Sequence, residues 1–469
     1  MSKVIKIAAG TLVVGAVAFF GSTYYVSKQL NKNIDTIVSS VNTKFSESNL
    51  PLTIEISDVS ASFFNTSAVL NLKTNDKVLA RLDTKASHGP FVGFPKLGLA
   101  KIEATLTDDK GLQSIIDYSK SPMQLALDGT VGFNGGFNLA LAVSPLDKDV
   151  LTGKLTSGNL NALFVYEPHS TLNWQLSTPK LTFSESIGTS ASDSAYNSFT
   201  LDMFVLKGQL GFTQDSSKPN SALYHLSVDK GVVTNAVMPE LSAEFNKLML
   251  SSTLADNKSN QLLLDAAYQL QLDALKVGKV ALDGILLDAK IGKMPKESLL
   301  INSSVGAEMS YIPLILKQSV LMNNQSILNY EPTFSINALN LANSAGKMTF
   351  STDWTLRTAK NDQPSESVAD LFVKEMNMNL MLDKAFATQM ISQVQQMNSK
   401  MSEEEANKAA ESMLGMFIDL SQLNGELFDV QEKQILLNAT LKDDKGMLNG
   451  QAVEDSRIYD LISSSLNFL

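Results

Sequence analysis

The chain has 469 residues, enough to bury a sizeable core without covalent staples, and it has no cysteine, which excludes disulfides, Cys-ligated zinc, iron–sulfur clusters, thiol nucleophiles and a cysteine-linked lipid. Its formal net charge of −10 repels phosphate backbones, so nucleic acid is not an expected partner. The acidity is spread thinly, with no long charged run.

Residues Ile7 to Ser27 carry no charge. As a helix this run spans ~32 Å, at about 1.5 Å per residue, against a hydrocarbon core of ~30 Å. Lys3 and Lys6 precede it, Lys28 and Lys32 follow it, and Tyr24 and Tyr25 sit where an interfacial aromatic belt belongs. The reading is a cytoplasmic stub and single transmembrane anchor over residues 1–27. The basic N-terminus faces inward and the body lies outside the cytoplasm. The competing reading is a cleaved signal peptide with Ala16-Val17-Ala18 as its cleavage site, against which Phe19-Phe20 continue the apolar run. Thr11, Gly15, Ala18 and Ser22 line one face with small residues and so permit close helix–helix packing, one basis for expecting a homodimer.

Leu30, Ile34, Ile37, Val41 and Phe45 recur at spacings of three or four, so residues 28–51 read as an amphipathic juxtamembrane helix ended by Pro51. It can be a stalk, a coiled-coil seam or a helix lying on the body. From there the apolar period becomes two. Thr53–Asp58, Val69–Lys73 and Val78–Asp83 read as strands. Leu125, Leu127, Val131 and Phe133 share a face, as do Phe137, Leu139, Leu141 and Val143, and Asn134-Gly135-Gly136 joins the two runs as a hairpin. Phe199, Leu201, Met203 and Val205 alternate. So do Leu262, Leu264, Ala266, Tyr268, Leu270 and Leu272, then Met348, Phe350 and Trp354, then Met376, Met378, Leu380 and Leu382. One apolar face per strand means antiparallel sheet, and no βαβ rhythm appears.

Helices are few. One is expected from Pro313 toward Asn329, and a helical pair from Lys384 to Leu420, capped by Asp383 at its start and by a Ser402–Glu405 capping box at its second member. The second member's apolar face carries Ala406, Ala409, Ala410, Met413, Leu414, Phe417 and Leu420. A last short helix begins after Asp455, and Ser184–Ser198 reads as a mobile loop. The fold class is therefore α+β, predominantly antiparallel β, with a large extended or curved sheet and a C-terminal helical pair. A β-rich region covers 52–330, and 331–469 adds strands and the helical pair to the same body. An eight-residue echo, Ala104–Gly111 against Ala439–Gly446, reads as reused turn chemistry or an old duplication.

No catalytic, cofactor-binding or metal residue is assigned. His88, His169 and His225 lie far apart, without a zinc spacing. Ser177/Lys180, Ser227/Lys230 and Ser344/Lys347 match Ser-x-x-Lys, but on strands or turns a spacing of three turns the side chains apart. Asp108/Asp109 and Asp443/Asp444 read as solvated turn residues, and the methionines from Met376 to Met416 as core filling.

The run Ser87-His88-Gly89-Pro90-Phe91, with the anchor before it and Met447-Leu448-Asn449-Gly450 near the end, resembles the YdgA-like family of Gram-negative bacterial proteins. That resemblance implies an inner-membrane-anchored periplasmic protein that self-associates and has no assigned catalytic residues. Without it, Gly89 and Pro90 explain a sharp turn, across which His88 hydrogen-bonds backbone. The expected function is a non-enzymatic, self-associating scaffold or interaction protein of the envelope. The alternatives are a binder of lipid or another apolar ligand, or a hydrolase whose residues are not recognisable. The expected partners are the membrane, a second copy, and a lipid or envelope protein.

Overall fold

The computed structural model describes residues 52–61, 65–74, 77–88, 100–108, 111, 124–150, 153–187, 195–212, 219–296, 325–358, 373–399, 401–423, 427–443, 445–454 and 458, with Ser39, Asn42, Thr43 and Ser46. The expected anchor at Ile7–Ser27 lies outside these residues. Among the described residues, no helix is long and apolar enough to cross a membrane. The chain divides into two compact units, Met1–Pro219 and Asn220–Leu469.

In the first unit, the described part of 28–51 is helical and its Asn42 reaches the sheet. The Asn42 Oδ1 accepts from the Ile54 amide at 2.7 Å, and its Nδ2 donates to the Ile54 carbonyl at 3.0 Å. Ile54 belongs to β1 (Thr53–Ala61), followed by β2 (Asn65–Thr74), β3 (Lys77–His88), β4 (Ala100–Asp108), β5 (Leu125–Val131) and β6 (Phe137–Val143). After β7 (Asp147–Val150) and β8 (Gly153–Ser157) come β9 (Leu160–Glu167), β10 (Thr171–Ile187) and β11 (Ala195–Phe212). All pairings are antiparallel and run β1-β2-β3-β4-β5-β6-β9-β10-β11, with β8 on the far half of β10 and β7 beside it.

The Asn134-Gly135-Gly136 hairpin forms as expected. Gly135 takes φ +80, a conformation that a Cβ disfavours, and the Asn134 side chain accepts from the Gly136 amide at 2.9 Å. Leu125, Leu127 and Val131 pack with Phe137, Leu139, Leu141 and Val143 in one buried cluster. Phe133, expected on that face, sits in the turn and is 59% exposed. The stretch Ser184–Ser198, expected to be a loop, supplies the paired ends of β10 and β11, from Ser184↔Ser198 to Ile187↔Ala195, while 188–194 lie outside the described residues. The expected alternation through Met203 fails for a local reason. The β10–β11 pairing skips Pro179 and Met203, and Met203 takes φ +52 with its side chain turned out. Proline has no amide to give the ladder. The apolar set then changes from odd to even numbers, so that Leu201 is buried before the kink and Leu206 faces Leu176 after it.

In the second unit, β12 (Pro219–Thr234) pairs with β13 (Ala243–Asp256), whose other edge takes β14 (Leu263–Leu272) and β15 (Ala274–Val277) end to end. β16 (Val280–Leu282) continues from β15, and the sheet proceeds through β17 (Gly284–Pro295), β18 (Thr333–Asn343), β19 (Gly346–Leu356), β20 (Val373–Asp383) and β22 (Gln434–Lys442). The short β21 (Asp429–Val430), β23 (Lys445–Leu448) and β24 (Gln451–Val453) complete it. β14 starts one residue later than expected, because Leu262 is exposed in the preceding turn.

Of the helix expected from Pro313, α1 (Gln325–Leu328) is described, and 297–324 lie outside. The helical pair is α2 (Lys384–Ser399) and α3 (Glu403–Leu423). The capping box at α3 is formed. The Glu405 amide donates to the Ser402 hydroxyl at 3.3 Å, and the Ser402 hydroxyl and amide donate to the Glu405 carboxylate at 2.8 and 3.1 Å, which holds that carboxyl below the usual range. Asp383 does not cap α2. Its two oxygens are taken across the sheet by the Lys347 amide at 2.9 Å and the Gln434 side chain at 3.0 Å. Ile458 of the expected last helix is helical and buried.

Candidate functional site

Register, rather than any single strand, builds the candidate site. Cross-strand partners point to the same face with Cβ atoms about 5 Å apart. In the second unit this arranges apolar residues into rows that cross eight strands. One row runs Ala222–Leu254–Ala266–Ile291–Phe334–Trp354–Met376–Leu441, and every member is buried. Phe334 and Trp354 meet edge to face with centroids 6.2 Å apart, and the Trp354 indole donates to the Thr352 hydroxyl at 2.5 Å.

A second row, on the same face and four residues along most strands, runs Leu226–Leu250–Leu270–Leu287–Leu339–Phe350–Leu380–Leu437. Leu437 is buried, but the other seven are partly exposed. Seven inter-strand steps of ~4.8 Å make this apolar floor ~34 Å long. Between the two rows lies a third, which begins with hydroxyls, Tyr224–Ser252–Tyr268, and continues Ala289–Ile336–Thr352–Met378–Ala439. Burial raises the Tyr224 hydroxyl above its ordinary range and pushes the Tyr268 hydroxyl to about 12.

A bulge keeps the floor in line. Phe334 and Ile336 are even-numbered, whereas Leu339 and Leu341 are odd. The pairings of β18 shift register around Asn337 and Ala338, and the inserted residue moves the later leucines onto the same face. The polar reverse side carries rows such as Leu223–Thr253–Ala267–Lys290–Ser335–Asp353–Asn377–Thr440.

The helical pair covers one end of the apolar face. Ala387, Leu414 and Ile435 form a buried cluster with Leu382, Ile391, Ile418 and Phe428 around it. The Gln393 side chain of α2 accepts from the Ala281 amide of β16 at 3.1 Å. The apolar face predicted for α3 is only partly used: Ala406, Ala410 and Leu414 are buried, while Met413, Phe417 and Leu420 are 44%, 47% and 59% exposed.

The first unit shows a graded version of the same face. The row Ala86–Ile102–Gly129–Leu139–Phe164–Trp174–Gly208 is buried through Leu139, and Phe164 and Trp174 are half exposed. The Trp174 ring lies where a side chain at Gly208 would sit, 2.2 Å from the place of its Cβ. The opposite face of this sheet carries a cavity of about 880 Å³ that crosses the strands over Ala126, Ala140 and Ala142, with Asp83, Lys85, Glu103 and Asp128 on its walls.

The residues weighed for chemistry stay apart. His88 ends β3, its backbone paired with Ala100, and the Gly89-Pro90-Phe91 turn lies outside the described residues. His169 occupies the β9–β10 turn at φ +56, and His225 pairs with Ser251 within β12 and β13. Ser177 and Lys180 flank the pairing gap at Pro179, and Ser227 and Lys230 the gap at Asp229, with the Lys230 ammonium held by Glu244 at 2.6 Å. The Ser344 hydroxyl accepts from Gln389 at 2.8 Å. Asp108 closes β4 opposite Arg81, and Asp443 is an exposed turn residue at φ +51; Asp109 and Asp444 lie outside the described residues.

A family model described as a bacterial protein of unknown function, DUF945, matches residues 1–454. The chain belongs to this family. No curated protein and no solved structure matches it. The second unit of this DUF945 chain offers an amphipathic antiparallel sheet whose apolar rows pass from buried to partly exposed.

Proposed function

We propose that this DUF945 protein is a non-catalytic envelope protein whose sheet holds an elongated apolar ligand of the lipid class. In this reading it is tethered to the inner membrane by residues 1–27 and its body lies in the periplasm. The observation that carries the proposal is the Leu226-to-Leu437 row, in which seven consecutive apolar side chains remain partly exposed. A contiguous apolar surface on a soluble body marks a binding site, and covering it is worth about 25 cal/mol per Å². The uncharged run Ile7–Ser27, its basic flank and the YdgA-like resemblance support the tether and the location.

The test is to purify the full chain in mild detergent, extract it for lipid and identify the extract by mass spectrometry. Leu287→Gln with Leu339→Gln is expected to remove most of the co-purifying lipid while the far-ultraviolet circular dichroism is retained. A wild-type protein that carries no lipid and takes up no fluorescent acyl probe overturns the reading. The location is tested separately by alkaline phosphatase fused after Leu469, which is expected to be active. An inactive fusion refutes the orientation.

A second reading, self-association, is favoured by the exposed Met413, Met416, Phe417 and Leu420 on α3. Light scattering is expected to give a dimer that Phe417→Glu converts to a monomer. A wild-type monomer rejects this reading and leaves the first in place.

A further inference from the structure

Single exposed apolar side chains are ordinary on a protein surface, but the turn between β12 and β13 gathers several. Val237 is 65% exposed, and Val233, Met238 and Leu241 are exposed beside it. The turn that presents them is closed on itself. The Val237 and Met238 amides donate to the Asn235 side chain at 3.0 and 2.9 Å. The Leu241 amide donates to the Met238 carbonyl at 2.8 Å, and the Ser242 amide to the Pro239 carbonyl at 3.1 Å. The Asn235 amide donates to the Ser242 hydroxyl at 3.0 Å, and Pro239 has no amide to satisfy. An unbonded peptide group that leaves water is costly, so this internal bonding equips the tip to enter an apolar layer. The β15–β16 turn is tied to the tip, because the Gly278 amide donates to the Ser242 carbonyl at 3.0 Å, and it carries the exposed Lys276 and Lys279.

We propose that this tip docks into the headgroup layer of an anionic lipid bilayer, with Val237, Met238 and Leu241 inserted and Lys276 and Lys279 against lipid phosphates. A few side chains on a single turn fall far short of the roughly 800 Å² per partner that a stable protein interface buries. A lipid surface sets no such threshold, since burial of apolar groups and attraction of lysines to anionic lipid add side chain by side chain. Glu240, exposed on the same turn, keeps the insertion shallow, because its carboxylate stays hydrated. The tip also lies at the end of β12 and β13 toward which the apolar face opens. The closed row crosses these strands at Ala222 and Leu254, and the open row crosses them four residues nearer the tip, at Leu226 and Leu250. The docking goes beyond the apolar-ligand reading and stands without it.

The chain has no cysteine, so Met238→Cys supplies one thiol for a polarity-sensitive fluorophore. Lys258→Cys, exposed in the turn at the opposite end of β13, supplies the control. The labelled full chains are reconstituted into phosphatidylcholine vesicles with and without phosphatidylglycerol, which carry a nitroxide lipid either near the headgroup or deep in the acyl layer. The probe at 238 is expected to shift to the blue and to be quenched more by the shallow nitroxide than by the deep one, and the probe at 258 to do neither. Val237→Ser with Leu241→Ser is expected to abolish the shift with the far-ultraviolet circular dichroism retained. Lys276→Gln with Lys279→Gln is expected to lower the quenching several-fold on the anionic vesicles alone. No quenching at 238, equal quenching at 238 and 258, or a shift that follows protein concentration instead of lipid overturns the docking, the last by showing that a second copy covers the tip. Uptake of an acyl probe by the open row is measured separately, so the loss of either result leaves the other in place.

Discussion

Two rows of the second unit lie on the same face of the same eight strands, yet one is closed and the other half open. The Ala222-to-Leu441 row is buried throughout, with Ile291 at 1% exposure, and the Leu226-to-Leu437 row is buried only at its last member. Their composition is equally apolar, so hydrophobicity does not explain the difference. Nor does the helical pair: α2 and α3 pack over Leu382 and Ile435, two residues beyond the open row's Leu380 and Leu437 and six beyond the closed row's Met376 and Leu441. An apolar face is thus a necessary condition for a core and not a sufficient one.

The largest expected effect breaks the closed row. Trp354→Ala removes a buried ring and its edge contact with Phe334, and is expected to cost about 3–5 kcal/mol in denaturant titration. Phe350→Ala in the open row is expected to cost about half of that, since less of its surface leaves water on folding. Equal losses would mean that the two rows do not differ energetically.

Gly208→Ala sharpens the comparison in the first unit. Its new methyl would meet the Trp174 ring, and the resulting displacement is expected to destabilise by about 1–3 kcal/mol and to shift tryptophan fluorescence. An unchanged spectrum and stability would show that the ring is not held over the glycine.

The smallest effect concerns the cover. Ser402→Ala removes half of the capping box and is expected to cost about 1 kcal/mol, with increased binding of an apolar dye as α3 frays from the sheet. The folded-state pKa of Glu405 is lowered, so its contribution is present above the unfolded value and is lost as pH falls through the folded one. The difference in melting temperature between wild type and variant should therefore shrink below about pH 4. A constant difference across that range would separate the cap from the carboxylate.

Features set by a few neighbouring residues were legible in the sequence. The Asn134-Gly135-Gly136 hairpin, the Ser402–Glu405 box, the alternation of Met376 to Leu382 and the antiparallel class each depend on local chemistry. The open row was not legible, because its members are joined by register across some two hundred residues and no strand reveals its partner. Two conformational details also defeated strict alternation. The kink at Met203 and the bulge at Asn337–Ala338 each exchange odd and even positions, and neither carries a glycine to announce it. Asp383 misled for a related reason: as the residue before a helix it resembles a cap, but β19 and β22 bring better donors to it.

The carboxamides at Ile54 and Ala281 have a consequence for the protein in quantity. A bare strand edge invites another chain to extend the sheet, and that copy then offers an edge of its own, so growth has no natural end. Asn42 occupies both backbone groups of Ile54, and Gln393 occupies the amide of Ala281, each from a helical segment elsewhere in the chain. Each contact works as a terminator, and it is held only as firmly as its helix is docked. Heating or crowding that loosens these helices before the sheets melt would release polymerisable ends from an otherwise folded molecule.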